Sequence, residues 1–191
     1  MEYKAFFDYI SQFRELDETH KEELKKVFVP RSIKKGEYLT ESGKHSSEIG
    51  FVISGYVRVY VIDLNGNENT IYLTGSPNFI GAITSFLRRE PSEEYVQAVT
   101  DAEILAIKYD DLYNLYETSH VWSNIGLHVM ETLFMERTRQ VISFIKKTAE
   151  DRYRYMLENE PDVLLNVPLQ ILASYMGMKP ETLSRIRGRI N

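Results

Sequence analysis

Residues 168–190 read PLQILASYMGMKPETLSRIRGRI, which is the most informative pattern in the chain. Its spacing predicts two short amphipathic helices joined through Gly177, because glycine suits the left-handed conformation that ends a helix. Pro168 and Pro180 are each acceptable in the first turn of a helix. On the second helix the apolar residues recur at intervals of three and four, which places them on one side. They are Leu183, Ile186 and Ile190, and the residues facing the other way are Glu181, Ser184, Arg185, Gly188 and Arg189.

Two helices joined in this way predict a helix-turn-helix, whose second helix lays its outward side chains in the major groove of DNA. Arg185 could then make a bidentate contact with guanine, and Glu181 could accept a hydrogen bond from cytosine N4. Arg187 and Arg189 are better placed for phosphates. The alternative is an ordinary helical hairpin that docks a protein. The candidate DNA-binding residues are Lys179, Glu181, Thr182, Ser184, Arg185, Arg187 and Arg189.

The charge of the chain is unevenly distributed around a net −5. Residues 1–120 carry 20 acidic and 13 basic side chains, a net charge of −7, whereas residues 121–191 carry 8 and 10, a net charge of +2. A basic end on an acidic body is compatible with a phosphate-contacting module. It is equally compatible with a solvated helix terminus.

Upstream of this module, residues 121–147 predict a helix of about seven turns. Thr148 is a fitting N-cap for a further helix with Glu150 and Asp151 in its first turn, so we place a domain boundary there. The long helix has two apolar stripes, so it is either buried within its own chain or shared between its own domain and a partner subunit, and we favour the dimer. The first stripe is Trp122, Ile125, Val129 and Leu133, and the second is Leu127, Met130, Phe134, Val141 and Ile145.

Before the long helix, the spacing of the apolar residues changes from a helical to a strand-like period along the chain. The first thirty residues read as helical, with Phe6, Ile10 and Phe13 on one stripe. Short β-branched and aromatic runs then follow from Ser32 to Ile107, separated by Gly, Asn and Pro, which is typical of a small all-β sandwich or barrel. The strand-like runs are residues 50–54, 56–63, 69–74, 95–100 and 103–108.

Composition excludes several kinds of chemistry. The chain has no cysteine, which removes disulfides, thiolate catalysis, Cys-ligated iron–sulfur clusters and Cys-type zinc sites. No Gly-rich phosphate loop or Gly-x-Ser-x-Gly elbow is present, so we expect no enzyme activity. The N-terminal residues lack a signal-peptide pattern and no apolar run is long enough to span a bilayer, so we expect a cytoplasmic protein without a membrane partner.

Five segments together resemble the Crp/Fnr superfamily of bacterial transcription regulators: residues 35–39 (KGEYL), 53–60 (ISGYVRVY), 75–81 (GSPNFIG), 103–107 (EILAI) and 181–186 (ETLSRI). The resemblance covers nearly the full length. It implies an α+β fold with an N-terminal jelly roll of cyclic nucleotide-binding type and flanking helices, a long dimerisation helix, and a C-terminal all-α helix-turn-helix domain. The corresponding divisions are residues 1–120, 121–147 and 148–191. It also implies that Glu181 and Arg185 read bases.

The sequence departs from the family's cyclic nucleotide cassette. Ala82 stands where the resemblance implies a Glu, and Ser92 and Glu93 stand where it implies an Arg-Ser pair. Because a cyclic phosphodiester is an anion, loss of that Arg beside two carboxylates predicts that cAMP is not the effector. A neutral or cationic molecule suits such a pocket better. The candidate pocket residues are Tyr72, Phe79, Gly81, Ala82, Phe86, Ser92 and Tyr95, with plain barrel core as the alternative.

The sequence therefore predicts a homodimeric DNA-binding transcription regulator of Crp/Fnr type that does not respond to cAMP. Its expected partners are double-stranded DNA, a second copy of the chain, a small-molecule effector of unknown identity and RNA polymerase. We expect no cofactor or metal, although His45, His120 or His128 could in principle ligate haem iron. The alternative is a ligand-sensing module whose C-terminal helices dock a protein rather than DNA.

Overall fold

A computed structural model describes residues 3–190, which form eight strands and nine helices. The N-terminal helices are α1 (Lys4–Ile10) and α2 (Glu18–Val27). The strands are β1 (Val29–Ile33), β2 (Tyr38–Thr40), β3 (Glu48–Ser54), β4 (Tyr56–Ile62), β5 (Glu68–Gly75), β6 (Asn78–Ile80), β7 (Tyr95–Ala98) and β8 (Ala102–Lys108). The remaining helices are α3 (Ile83–Arg88), α4 (Tyr109–Thr118), α5 (His120–Lys146), α6 (Ala149–Asn159), α7 (Pro161–Asn166), α8 (Leu169–Tyr175) and α9 (Pro180–Ile190).

The strands form a sandwich of two four-stranded antiparallel sheets. One sheet has the order β1-β8-β3-β6 and the other has the order β2-β7-β4-β5. Alternating side chains of both sheets, such as Val52, Val59 and Ile104, point inward and are fully or almost fully buried. The five strand-like runs of the sequence correspond to β3, β4, β5, β7 and β8.

Strand β5 is the edge of its sheet and carries an irregularity. Its pairing with β4 joins Val59 to Tyr72 and Tyr60 to Thr70, so the register skips Ile71. An extra residue of this kind is a β-bulge, which leaves a backbone group free to bind elsewhere. The bulge faces the long helix α5.

Helix α5 packs on the sandwich through the first of its two apolar stripes, as predicted. Trp122, Ile125 and Val129 are buried in a cluster with the aromatic residues of α1 and β3, including Phe6 and Phe51. The only tryptophan, Trp122, donates its indole N–H to Glu23 at 2.8 Å. The second stripe is open to solvent, with exposed fractions of 57% for Leu127, 73% for Phe134 and 78% for Ile145.

The C-terminal module, residues 149–190, begins with the predicted cap. The Thr148 hydroxyl accepts the N–H of Asp151, and the Asp151 carboxylate accepts the N–H of Thr148 in return, which is a complete capping box. The helix α7, which begins at Pro161, was not predicted from the sequence. The core of the module is not confined to it, since Leu73 of β5 and Val99 are buried in the same cluster.

Candidate DNA interface and effector cavity

Helices α8 and α9 form the helix-turn-helix that the sequence predicts. Gly177 has a φ of +64°, the left-handed conformation expected at the end of α8. The N–H of Met178 closes the turn by donating to the carbonyl of Ala173 at 2.9 Å. Pro180 is the first residue of α9. This turn orients α9 across α8 with its apolar side inward.

One face of α9 is held inside and the other is open. Leu183 is fully buried, Ile186 is almost so, and Ile190 packs against the same cluster. The predicted outward residues Glu181, Ser184, Arg185, Gly188 and Arg189 are exposed, as is Lys179, while Thr182 and Arg187 are half-buried. Arg185 makes no hydrogen bond or ion pair with any residue between Tyr3 and Ile190. Its guanidinium is therefore available to a ligand.

The two arginines expected at phosphates already have partners within the module. Arg187 donates to the carbonyl of Leu164 at 3.1 Å, and Arg189 pairs with the Glu150 carboxylate at 2.8 Å. A phosphate contact by either side chain would have to share or replace these bonds. Among the arginines of α9, Arg185 is therefore the one whose guanidinium is free to contact DNA.

A cavity of about 610 Å³ lies between β5, β6, α3, α5 and the end of α8, and Met130, Phe134 and Val141 of the open stripe of α5 form part of its wall. This volume suits a small organic molecule. Its wall is mainly apolar, and three of the predicted pocket residues line it: Tyr72, Phe79 and Gly81. A second cleft of about 890 Å³ separates the C-terminal half of α5 from the β5–β6 turn and from α6.

The structure does not bring the other four predicted pocket residues to this cavity. Ala82 is fully buried in the sandwich core, and Phe86 packs edge-on against Tyr109. Tyr95 stacks on Tyr60 at a ring distance of 4.9 Å, away from the cavity. Ser92 is buried, and its hydroxyl bonds the backbone of Glu94. Ala82 and Ser92 occupy positions of the predicted cassette and Phe86 and Tyr95 lie close to it in sequence, but none of the four lines this cavity.

Arg137 of α5 is a wall residue that sequence reasoning missed. Its Nη1 donates to the carbonyl of the bulged Ile71 at 2.8 Å, and its guanidinium lies 3.8 Å from the centre of the Tyr72 ring. Burial lowers the pKa of Arg137, while Tyr72, Glu94 and other nearby groups oppose this. Arg137 therefore adds a positive charge to a wall that also holds the Glu94 carboxyl. No local sequence pattern signals the contact, because 66 residues separate the partners.

Two further polar groups belong to the wall. Burial raises the pKa of the Glu94 carboxyl, and Arg137 partly offsets that rise. Thr70 is only 4% exposed, and its Oγ1 has no hydrogen-bond partner among the described residues. Buried hydroxyls are normally satisfied, so the Oγ1 of Thr70 is an exception in the wall of the cavity.

Histidine and carboxylate side chains form no metal site in the described part of the chain, where no group of three or more His, Asp or Glu could hold an ion. His128 bonds Glu131 at 3.0 Å and stacks on Phe13. His45 pairs through its backbone with Pro91. Between Tyr3 and Ile190 no helix has the length and apolar character needed to cross a membrane.

Comparison with known proteins agrees with this architecture. Residues 30–119 match the cyclic nucleotide-binding domain family. Electron transport regulator A of Shewanella oneidensis is 23% identical over 83% of this chain and 67% of its own length. The CRP-like protein Clp of Xanthomonas campestris is 25% identical over 75% of this chain and 69% of its own length.

Solved structures match over most of the chain. FixK2 of Bradyrhizobium japonicum superimposes with a TM-score of 0.74 at 18% identity, covering 86% of this chain and 84% of its own. The c-di-GMP responsive global regulator CLP of Xanthomonas campestris superimposes with a TM-score of 0.69 at 22% identity, covering 91% of each chain. The chain therefore contains a domain of the cyclic nucleotide-binding type and has the fold of the Crp/Fnr superfamily of transcription regulators.

Proposed function

We propose that the protein is a homodimeric, non-enzymatic transcription regulator that binds DNA through α9. The observation that carries the proposal is the exposed face of α9, where Glu181, Ser184 and the unengaged Arg185 stand over a buried apolar backing. A helix presented in this way can enter the major groove and contact base edges. In this proposal residues 148–191 form the DNA-binding domain, residues 1–120 the effector domain, and residues 121–147 the dimerisation helix.

The open stripe of α5 supports the homodimer. Leu127, Phe134 and Val141 follow one another at intervals of seven residues and are each more than half exposed. Apolar residues that recur every seven residues are the pattern by which two helices pair along a shared seam. Pairing through α5 would give the dimer two recognition helices, as a two-fold symmetric site on DNA requires.

We further propose that the effector is a small molecule other than cAMP, bound in the 610 Å³ cavity. Ser92 stands where the family places a phosphate-binding Arg, and its hydroxyl is occupied with the backbone of Glu94. Arg137 offers a positive charge, but it is already bonded to Ile71 and shares the cavity with Glu94. This arrangement favours a mainly apolar molecule over a cyclic phosphodiester. RNA polymerase is a further partner expected of such a regulator.

The experiment that tests DNA binding is selection from a pool of random duplexes at fixed moderate salt, followed by sequencing. The wild type should enrich a two-fold symmetric motif with half-sites about one helical turn apart, roughly 34 Å. Arg185→Ala should weaken binding to that motif by about 1–3 kcal/mol and relax the base preference at one position of each half-site. Arg88→Ala, which removes an exposed arginine from the sandwich, should leave both unchanged.

Equal enrichment by the wild type and Arg185→Ala would contradict the role of α9. A wild type that enriches no motif would favour the alternative function, in which the C-terminal helices dock a protein. The cavity residues would then be the place to continue the search for a ligand.

A further inference from the structure

The first helix of the helix-turn-helix is bonded directly to the edge of the sandwich. The Ser174 hydroxyl accepts the N–H of Thr70 at 2.8 Å and donates to the carbonyl of Glu68 at 3.0 Å. Both backbone groups belong to β5, which has no strand on that side. One side chain thus satisfies two outward-pointing backbone groups of an edge strand. We call this pair of Ser174 hydrogen bonds the edge latch.

Other contacts hold the module in the same position. Phe144 of α5 lies against the turn at Gly177, where an added Cβ would come within 2.8 Å of its ring. Arg152 of α6 donates to the carbonyl of Met176 at 2.9 Å. Because Leu73 and Val99 complete the apolar core of the module, the sandwich and the module meet through packed side chains as well as through the edge latch.

We propose that the edge latch fixes the orientation of the helix-turn-helix relative to the sandwich, so that the two recognition helices of a dimer are set in advance for two half-sites. The inference rests on the proposed function and concerns its regulation. A module that is already oriented loses less conformational freedom on binding, and this raises affinity only where both modules must bind at a fixed separation. The exposed reading face of α9 is free in this position, so the docked module does not occlude it.

The position of the edge latch makes it accessible to regulation. Thr70, whose N–H is held by Ser174, lines the cavity together with Ser174 and Gly177. A molecule that fills the cavity therefore touches β5 and the helix-turn-helix together. The route from the effector to the DNA-binding module is then a direct contact, in addition to any movement of α5.

The test compares Ser174→Ala with Ser32→Ala, which removes an exposed serine hydroxyl on β1, a strand of the sheet that does not contain β5. Each variant is titrated with two duplexes, one carrying the full symmetric motif and one carrying a single half-site. Ser174→Ala should bind the full motif about tenfold more weakly than the wild type, because two hydrogen bonds that orient the module are lost. It should bind the half-site as tightly as the wild type. Ser32→Ala should match the wild type on both duplexes.

Amide hydrogen exchange gives a readout that does not depend on DNA. The segment containing Thr70 should exchange faster in Ser174→Ala than in the wild type, because its N–H loses its acceptor. Ser174→Thr keeps a hydroxyl and should restore both protection and full-motif affinity. Thermal unfolding followed by circular dichroism establishes that each variant is folded at the temperature of the assay.

Two outcomes would overturn the proposal. An equal loss of affinity on both duplexes would mean that Ser174 supports the module itself rather than its orientation, and unchanged exchange at Thr70 would mean that the edge latch does not protect β5. Failure of the proposed function is distinct, because the wild type would then bind neither duplex while the exchange result would still decide whether the edge latch exists.

Discussion

Two buried threonines of the sandwich differ in whether the fold gives their hydroxyl a hydrogen-bond partner. Thr40 and Thr70 are 5% and 4% exposed. The Oγ1 of Thr40 lies 3.1 Å from the Ser46 hydroxyl, whereas the Oγ1 of Thr70 has no partner in the described residues. A buried polar group without a hydrogen bond costs about 1–3 kcal/mol.

We therefore expect opposite effects from the same substitution. Thr70→Val should raise the free energy of unfolding by about 1 kcal/mol, and Thr40→Val should lower it by about the same amount. Urea denaturation followed by fluorescence measures both. Destabilisation by Thr70→Val would mean that its hydroxyl is satisfied in solution without the effector.

Gly177 is required by both its backbone conformation and its contact with Phe144. Gly177→Ala should lower the free energy of unfolding by at least about 1 kcal/mol, because the left-handed conformation is strained for alanine and Phe144 must move. Gly188→Ala is the matched control, since nothing lies within 4 Å of an added Cβ there. It should raise stability by up to about 1 kcal/mol through helix propensity. Equal effects of the two substitutions in thermal unfolding would contradict this account.

At the scale of the element, α5 shows what a periodic pattern can predict. The two apolar stripes could be read from the sequence because a helix 27 residues long repeats its facing positions many times. In the structure one stripe is buried and the other is open to solvent. The helix-turn-helix was equally readable, since Gly177 and the two prolines mark its boundaries locally.

The open stripe of α5 should hold the dimer together. Phe134→Asp places a charge where the helices pair, so it should convert the protein to a monomer and abolish binding to a two-fold symmetric duplex. Leu64→Asp is the control, because it adds the same charge at a fully exposed leucine in the β4–β5 turn. Analytical ultracentrifugation measures the oligomeric state. A Phe134→Asp variant that stays dimeric would place the dimer interface elsewhere.

The elements that build the cavity were less predictable than the helices. The predicted pocket residues Tyr72, Phe79 and Gly81 line it. Arg137 was not predicted, because its contact with Ile71 depends on a bulge in a distant strand. Ser174 was read only as part of a helix, and its bonds to β5 span more than 100 residues. Contacts of this kind leave no period or spacing in the sequence, so only the assembled fold reveals them.

At the scale of the whole molecule, the sandwich and the C-terminal module share one apolar cluster. We expect Trp122 fluorescence, which reports on the sandwich side of α5, to melt together with the helical circular dichroism signal. Leu73→Ala should lower the stability of the module by about 2–5 kcal/mol and separate the two transitions, with the helical signal melting first.

The matched control is Ile33→Ala, which opens a cavity in the sandwich core away from the module. It should shift both transitions together rather than separate them. Two distinct transitions in the wild type would mean that the module and the sandwich unfold independently despite their shared cluster.

The position of α8 on β5 also bears on solubility. An uncovered edge strand offers unpaired N–H and C=O groups to any other chain with a free edge, and this is a common route to aggregation. Ser174 occupies two of these groups on β5, and α8 lies over that part of the strand. The helix that positions the proposed DNA-reading surface therefore also shields the sandwich against self-association, so undocking of the module exposes a strand that can pair with a neighbour.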